Sequence, residues 1–210
     1  MSNINRQIHA LTSTVGKAKA DILEERCREI NPEIKIIKRI QFFTPKTSDE
    51  IFELKPDVVV DAIDDRHNKV HLIAECRKRW IKLVTCGGAG GRLDPSLIQV
   101  ADIARTIDDP LLTVVRKELR THHNFPRERR RKWNIPCVFS TEPHTYPQSD
   151  GSVCKERDDG SDLTLNCESG FGTSTHVTGI FGFMMAAEAL KLCPDRVAKK
   201  EALEVVEDLG

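Results

Sequence analysis

The sequence lacks net charge. Lys and Arg number 32 and so do Asp and Glu, so no field over the whole molecule draws it to nucleic acid or to an acidic membrane, and any such attraction has to be local. Paired cysteines are also missing. The seven present (Cys27, Cys76, Cys86, Cys137, Cys154, Cys167 and Cys193) include no C-x-x-C pair, which speaks against a structural zinc site, and they are too sparse for a disulfide-stapled secreted scaffold. No apolar run is long enough to cross a bilayer: Val177 to Leu190 is interrupted by Gly179, Gly182 and Glu188 and reads as a buried helix. No cationic stretch leading into an apolar one precedes Ile8, so a reduced, cytoplasmic protein is expected. Internal repeats and low-complexity segments are absent too. What remains is 210 residues, 39% apolar and 30% charged, the make-up of one ordinary globular domain.

Val15, Ala18, Ile22 and Ile30 fall near helical spacing before Asn31-Pro32, which predicts a helix over 15–30. Ile34 to Ile40 is a β-branched run, and Thr47-Ser48-Asp49-Glu50 reads as a capping box opening a short helix to Leu54. Asp57 to Ile63, with three consecutive valines, reads by its continuity as a fully buried strand. A helix from Asn68 to Trp80 and a strand from Ile81 to Cys86 follow. Further on come the segment Leu97 to Ile103, a helix from Pro110 to Arg120, a strand from Cys137 to Ser140, a long loop to Gly172, a helix from Ser174 to Leu192 and a charged tail or peripheral helix from Arg196. Strand alternating with helix implies an α/β fold with a mostly parallel sheet, because each parallel crossover needs a returning segment. Residues 104–175 form the loop-rich portion of a single domain over 1–210.

Two groups of polar residues invite chemistry. Asn3-Ile4-Asn5-Arg6-Gln7 and Val15-Gly16-Lys17-Ala18-Lys19 put a guanidinium and ammonium groups on a loop and a helix start, where they can converge on a polyphosphate or stand as surface charge. Asp61-Ala62-Ile63-Asp64-Asp65 closes the valine strand, and the carboxyl ends of parallel strands are where open α/β sheets bind ligands. A metal or ribose contact and a helix N-cap by Asp64 or Asp65 are both open readings there. The glycine run 87–91 lacks phosphate-loop spacing and follows a later strand; its glycines are expected to let the chain turn tightly and pass close to a nucleotide or a neighbouring strand. Between Arg116 and Lys132, eight Lys or Arg stand against two Glu. That is a basic patch, either a nucleic-acid contact or a solvated loop.

These segments carry a resemblance. N-x-N-R-Q, V-G-x-x-K, D-A-I-D and L-V-T-C-G-G-A-G-G together resemble the adenylating fold shared by ThiF, MoeB and the ubiquitin-activating enzymes. Val138-Phe139-Ser140-Thr141-Glu142, Tyr146-Pro147-Gln148-Ser149-Asp150-Gly151 and Cys167-Glu168-Ser169-Gly170-Phe171-Gly172, leading into Val177 to Phe183, resemble its tRNA threonylcarbamoyladenosine dehydratase branch (TcdA or CsdL). The resemblance implies a Rossmann-like adenylating fold, a homodimer, and ATP with Mg2+ as cofactors. It implies a reaction in which the carboxylate of threonylcarbamoyladenosine in tRNA is adenylated and an amide nitrogen then closes a hydantoin ring. Asn3 would hydrogen-bond the nucleotide, Arg6 and Lys19 would neutralise the triphosphate, and Asp64 would hold Mg2+ or orient the phosphates. Arg127, Arg129, Arg130, Arg131 and Lys132 become candidate tRNA contacts.

Cys167 is the resemblance's candidate thiol, with a cysteine-desulfurase or sulfur-acceptor partner; equally, it merely precedes a tight turn. Ring closure by itself needs no thiol, because attack on the acyl adenylate is intramolecular. Two rivals stand beside this reading: adenylation of a ubiquitin-like sulfur carrier, and a non-catalytic tRNA-binding or dimerisation remnant. The resemblance also places a first strand, glycine loop and helix upstream of Met1. A chain without that unit is expected to be poorly stable and to show little ATP-dependent activity.

Overall fold

The computed structural model describes residues 4–128, 131–143, 146–147, 153–154 and 173–194. Helices α1 (Lys19–Ile30) and α2 (Ser48–Phe52) precede a first crossover unit, β1 (Val58–Asp61), α3 (Arg66–Lys78) and β2 (Lys82–Cys86). The chain continues through β3 (Ile98–Asp102), α4 (Pro110–His122) and β4 (Pro136–Ser140), then a two-residue ribbon of β5 (Tyr146–Pro147) and β6 (Val153–Cys154), and ends its described course in α5 (Thr175–Leu192). The main sheet runs in the order β1-β2-β4-β3. β1, β2 and β4 are parallel, with Val60 opposite Val84 and Cys86 opposite Val138, while β3 closes the far edge antiparallel. This is the mixed, mostly parallel α/β architecture that the alternation predicts.

Alternation along the strands divides the core in two. Leu83, Cys137 and Phe139 face the side covered by α3 and α4, where Ile73, Leu112, Val115 and Leu119 are fully buried. Val84 and Val138 face the other side, where α5 lays Val177, Phe181 and Met185 across the sheet at a four-residue spacing. Lys82 Nζ, at the start of β2, donates to the carbonyl of Leu192 at the end of α5 (2.9 Å). α5 therefore runs antiparallel to β2, and its N-terminus lies at the carboxyl ends of the parallel strands. No described helix is long and apolar enough to cross a membrane.

Several elements differ from the sequence reading. The first helix starts at Lys19 rather than Val15, because a short 3-10 turn at Thr12–Thr14 and a left-handed Gly16 (φ +85°) come first. Thr47 stands at the N-cap position of α2 but its side chain makes no capping bond: its hydroxyl accepts from the Thr44 amide and donates to the Phe42 carbonyl, holding the turn before α2 instead. Residues 34–40 join no strand pair among the described residues. β1 is not fully buried; it is an edge of the described sheet, and Val60, on the α5 side but beyond what α5 covers, is 51% exposed. The segment from Arg196 lies outside the described residues, as does most of the loop to Gly172.

The glycine run turns back on the sheet as expected. Gly87 N donates to the Val138 carbonyl (2.9 Å) and Gly88 N to Asp109 Oδ2 (2.9 Å). A methyl group at Gly87 would stand 2.2 Å from that same carboxylate oxygen. Asp109 is buried and also caps α4 through the Leu112 amide (2.9 Å). Gly87→Ala is therefore expected to displace a buried carboxylate from two amides at once. The loss should be about 2–3 kcal/mol of stability, read by urea denaturation.

Candidate active site

β1 ends on a carboxylate that is fully engaged. Asp61 Oδ2 accepts from Lys69 Nζ (2.8 Å) and from Thr85 Oγ1 (2.6 Å), Lys69 Nζ also reaches Thr85 Oγ1 (3.1 Å), and Asp61 Oδ1 accepts the Ile63 amide (2.9 Å). Asp61, Lys69 and Thr85 are buried side by side between β1, β2 and α3. Burial works to lower the pKa of the Lys69 ammonium, but the adjoining Asp61 carboxylate overrides it and holds that pKa above the ordinary lysine value. A buried ion pair of this kind is stable only because every partner is present. It fixes the end of β1, and with it the path of residues 62–65.

That turn divides its carboxylates by task. Asp65 caps α3, its Oδ1 accepting the Asn68 amide at 2.8 Å. Of the two residues that sequence alone left open as the cap, the structure selects Asp65. Asp64 is exposed and no hydrogen bond or ion pair holds it among the described residues, so its charge is presented at the carboxyl edge of the sheet. A hard, exposed carboxylate suits Mg2+, which binds through one or two protein carboxylates and completes its shell with water and phosphate oxygens. Among the described residues no three acidic, His or Cys groups gather to hold a metal by themselves.

Beside this turn, the loop after β2 is anchored by charge. Arg92 is fully buried and donates to the carbonyls of Ser140 (2.5 Å), Glu142 (2.7 Å) and Asp108 (2.9 Å), with the Asp109 carboxylate at 3.5 Å. Glu142 returns the contact, its Oε2 accepting the amides of Leu93 and Asp94 (2.9 Å each). The glycine loop thus wraps around a carboxylate and a guanidinium supplied by the protein. That gives a physical reason for Gly87 without a phosphate.

The N-terminal segment reaches the same edge. Thr175 Oγ1 donates to the Asn5 carbonyl (2.9 Å), Thr178 Oγ1 to the Arg6 carbonyl (2.8 Å), and Asn5 Nδ2 to the Thr173 carbonyl (2.9 Å). His176 lies 2.8 Å from the Leu93 carbonyl and ties α5 to the glycine loop. Arg6 and Asp64, 58 positions apart in sequence, therefore stand at one end of the sheet. Lys19 opens α1 and lies close enough to His9 to help burial depress that imidazole, so it accompanies the segment that carries Arg6.

Other expected residues fall elsewhere. Arg127, Arg131 and Lys132 are exposed on the loop leading into β4, at the amino end of the parallel strands, away from Asp64. Asn3, Arg129, Arg130 and Cys167 lie outside the described residues. The thiols that are described near the sheet are poor nucleophiles: burial pushes Cys86 up to about 11 and Cys76 up to about 12, and raises Cys137 well above its usual value. Sequence reasoning missed Lys69, Thr85, Arg92, Asp109 and Glu142. Lys69 left one signal, since it shares the buried stripe of α3 with Ile73 and Cys76, where an unpaired cation is not tolerated.

Known proteins resemble this arrangement. The sequence profile of the ThiF family matches residues 1–205. A tRNA threonylcarbamoyladenosine dehydratase of Escherichia coli K12 is 44% identical over 95% of this chain and 75% of its own length. That of Haemophilus influenzae is 39% identical over 96% and 74%. Among solved structures, TcdA (CsdL) superposes with a TM-score of 0.79 at 43% identity, over 96% of this chain and 73% of that one. The E. coli dehydratase in complex with ATP gives 0.76 at 40% identity, over 96% and 72%.

Proposed function

The chain belongs to the ThiF family, and from that premise we propose that it dehydrates threonylcarbamoyladenosine in tRNA, using ATP to form an acyl adenylate that cyclises. The observation that carries this reading is the match over 95% or more of this chain, and about three quarters of their own length, to dehydratases of that name, joined to a sheet edge at which one carboxylate, Asp64, has no partner among the described residues while its neighbours are committed to structure.

A free carboxylate resists attack because its leaving group is an oxide and its charge repels the nucleophile. Adenylation removes both obstacles. In this reading Arg6 and Lys19, with Asn3, hold the triphosphate, and the two cations offset charge that grows on departing pyrophosphate. Mg2+, when bound, would neutralise phosphate oxygens. Asp64 would hold it, and the Asp61–Lys69–Thr85 cluster keeps Asp64's turn in place. After activation the substrate's own amide nitrogen lies within the same molecule as the acyl carbon, so ring closure is favoured by proximity. The tRNA backbone is assigned to Arg127, Arg129, Arg130, Arg131 and Lys132, and a homodimer belongs to the same reading.

The test is incubation of the full-length natural protein with ATP, Mg2+ and tRNA bearing the modified base. The expected outcome is loss of one water from the nucleoside with release of AMP and pyrophosphate. ATP–pyrophosphate exchange that requires a small carrier protein and ignores tRNA would reassign the chain to carrier activation. No exchange with either partner would leave a binding role.

A further inference from the structure

The end of α3 departs from what stability alone favours. Ile81 N donates to the Cys76 carbonyl (2.9 Å) and Trp80 N to the Arg77 carbonyl (3.2 Å). This closure puts the residue after the helix into the left-handed region, a place usually taken by glycine or asparagine. Here it is Trp80, with φ +58° and 93% of its surface exposed. A bulky side chain costs backbone energy in that conformation, and an indole left in water returns nothing to the core. Strain and exposure at one aromatic residue point to a contact outside the fold.

Its surroundings indicate what kind of contact. Arg77 stacks its guanidinium 4.1 Å above Phe125, Phe125 packs on Trp133 at 4.7 Å, and Arg120 lies 5.1 Å over Trp133. The ends of α3 and α4 and the loop before β4 are thereby locked into one surface. Asp102 pins that loop, its carboxylate accepting the amides of Trp133 (3.0 Å), Asn134 (2.6 Å) and Ile135 (3.3 Å). Lys78 and Arg79 both pair with Glu75, and Arg79 also with Asp49, while exposed Arg127, Arg131 and Lys132, which make no ion pair among the described residues, add cations beside Glu128. A rigid cationic face with one projecting indole has the make-up of a single-stranded nucleic-acid contact, in which phosphates meet cations and a base stacks on the aromatic ring. A second copy of the chain fits less well, because a two-fold interface would set these like charges against each other.

We propose that Trp80 is a stacking platform for an unpaired base of tRNA, with flanking phosphates on Arg127, Arg131 and Lys132. This face lies at the amino end of the parallel strands and Asp64 at the carboxyl end. The five residues of β2 alone separate the two by about 15 Å. The base on Trp80 is therefore not the one being modified but a flanking one. The inference rests on the tRNA reading above and extends the docking surface from the loop to the end of α3.

Trp80 and Trp133 are the only tryptophans, which supplies an internal probe. In a Trp133→Phe background, addition of tRNA is expected to quench the remaining fluorescence saturably. Trp80→Asn, which suits the left-handed backbone, is expected to weaken tRNA binding roughly tenfold, with the loss on KM for tRNA rather than on kcat and with no drop in melting temperature. Trp80→Phe should recover most of the affinity. Unchanged tRNA affinity in Trp80→Asn, in a protein that still converts tRNA, would overturn this inference and leave the functional reading standing. Unchanged affinity accompanied by loss of a dimer on sedimentation would reassign Trp80 to a protein interface. If the unmodified chain binds no tRNA, the functional reading fails and this one fails with it.

Discussion

Asp64→Asn is expected to lower turnover roughly 100- to 1,000-fold with little change in stability. The substitution keeps the shape of the side chain and removes only its charge. Asp64 supports no amide, no helix and no buried cation among the described residues, so the loss should appear in kcat rather than in the unfolding midpoint. Asp65→Asn provides the contrast. It weakens a helix cap and should cost at most about 1 kcal/mol of stability, with turnover nearly intact. Pyrophosphate exchange and urea denaturation on both variants separate the roles. Equal effects of the two substitutions on turnover would remove Asp64 from the centre of the reaction.

The second large effect concerns stability. Asp61→Ala strands the Lys69 ammonium in the core and is expected to destabilise the chain by about 3–5 kcal/mol, a large share of the ~5–15 kcal/mol available to an ordinary domain. Replacing both partners with apolar residues of similar size, Asp61→Leu with Lys69→Met, should recover most of that loss. The single and double variants distinguish an uncompensated charge from a lost contact. The pair also sets an alkaline limit. The folded pKa of Lys69 lies above the unfolded value of about 10.4, so its contribution is complete below that pH and fades as pH rises through the folded value. A Lys69→Met variant should lose this alkaline dependence, measurable as a flatter stability profile above about pH 10.

These two predictions bear on neighbouring carboxylates of one turn, and their opposite character shows how the site is organised. Asp61 is spent on structure so that Asp64 can be exposed at a fixed place. The buried cation is the device that links them: Lys69 comes from the first turns of α3, the helix that Asp65 starts. Strand end, turn, cap and buried pair form one unit, and a fault in any part moves the carboxylate assigned to the nucleotide.

The sequence by itself determined the segments and their alternation. Hydrophobic period and turn chemistry are local, so α3, α4, β2, β4 and α5 were legible to within a few residues, and so was the collection of family motifs. It also indicated that the glycine run turns the chain rather than cradling phosphate. Tertiary structure decided which carboxylate is a cap, which is buried against Lys69 and which is left uncommitted, because the buried role depends on partners 8 and 24 positions away from Asp61. It also decided that the basic loop and Trp80 occupy the opposite end of the sheet from Asp64. The direction of a strand, and hence the end at which a loop emerges, exists only once the sheet is assembled.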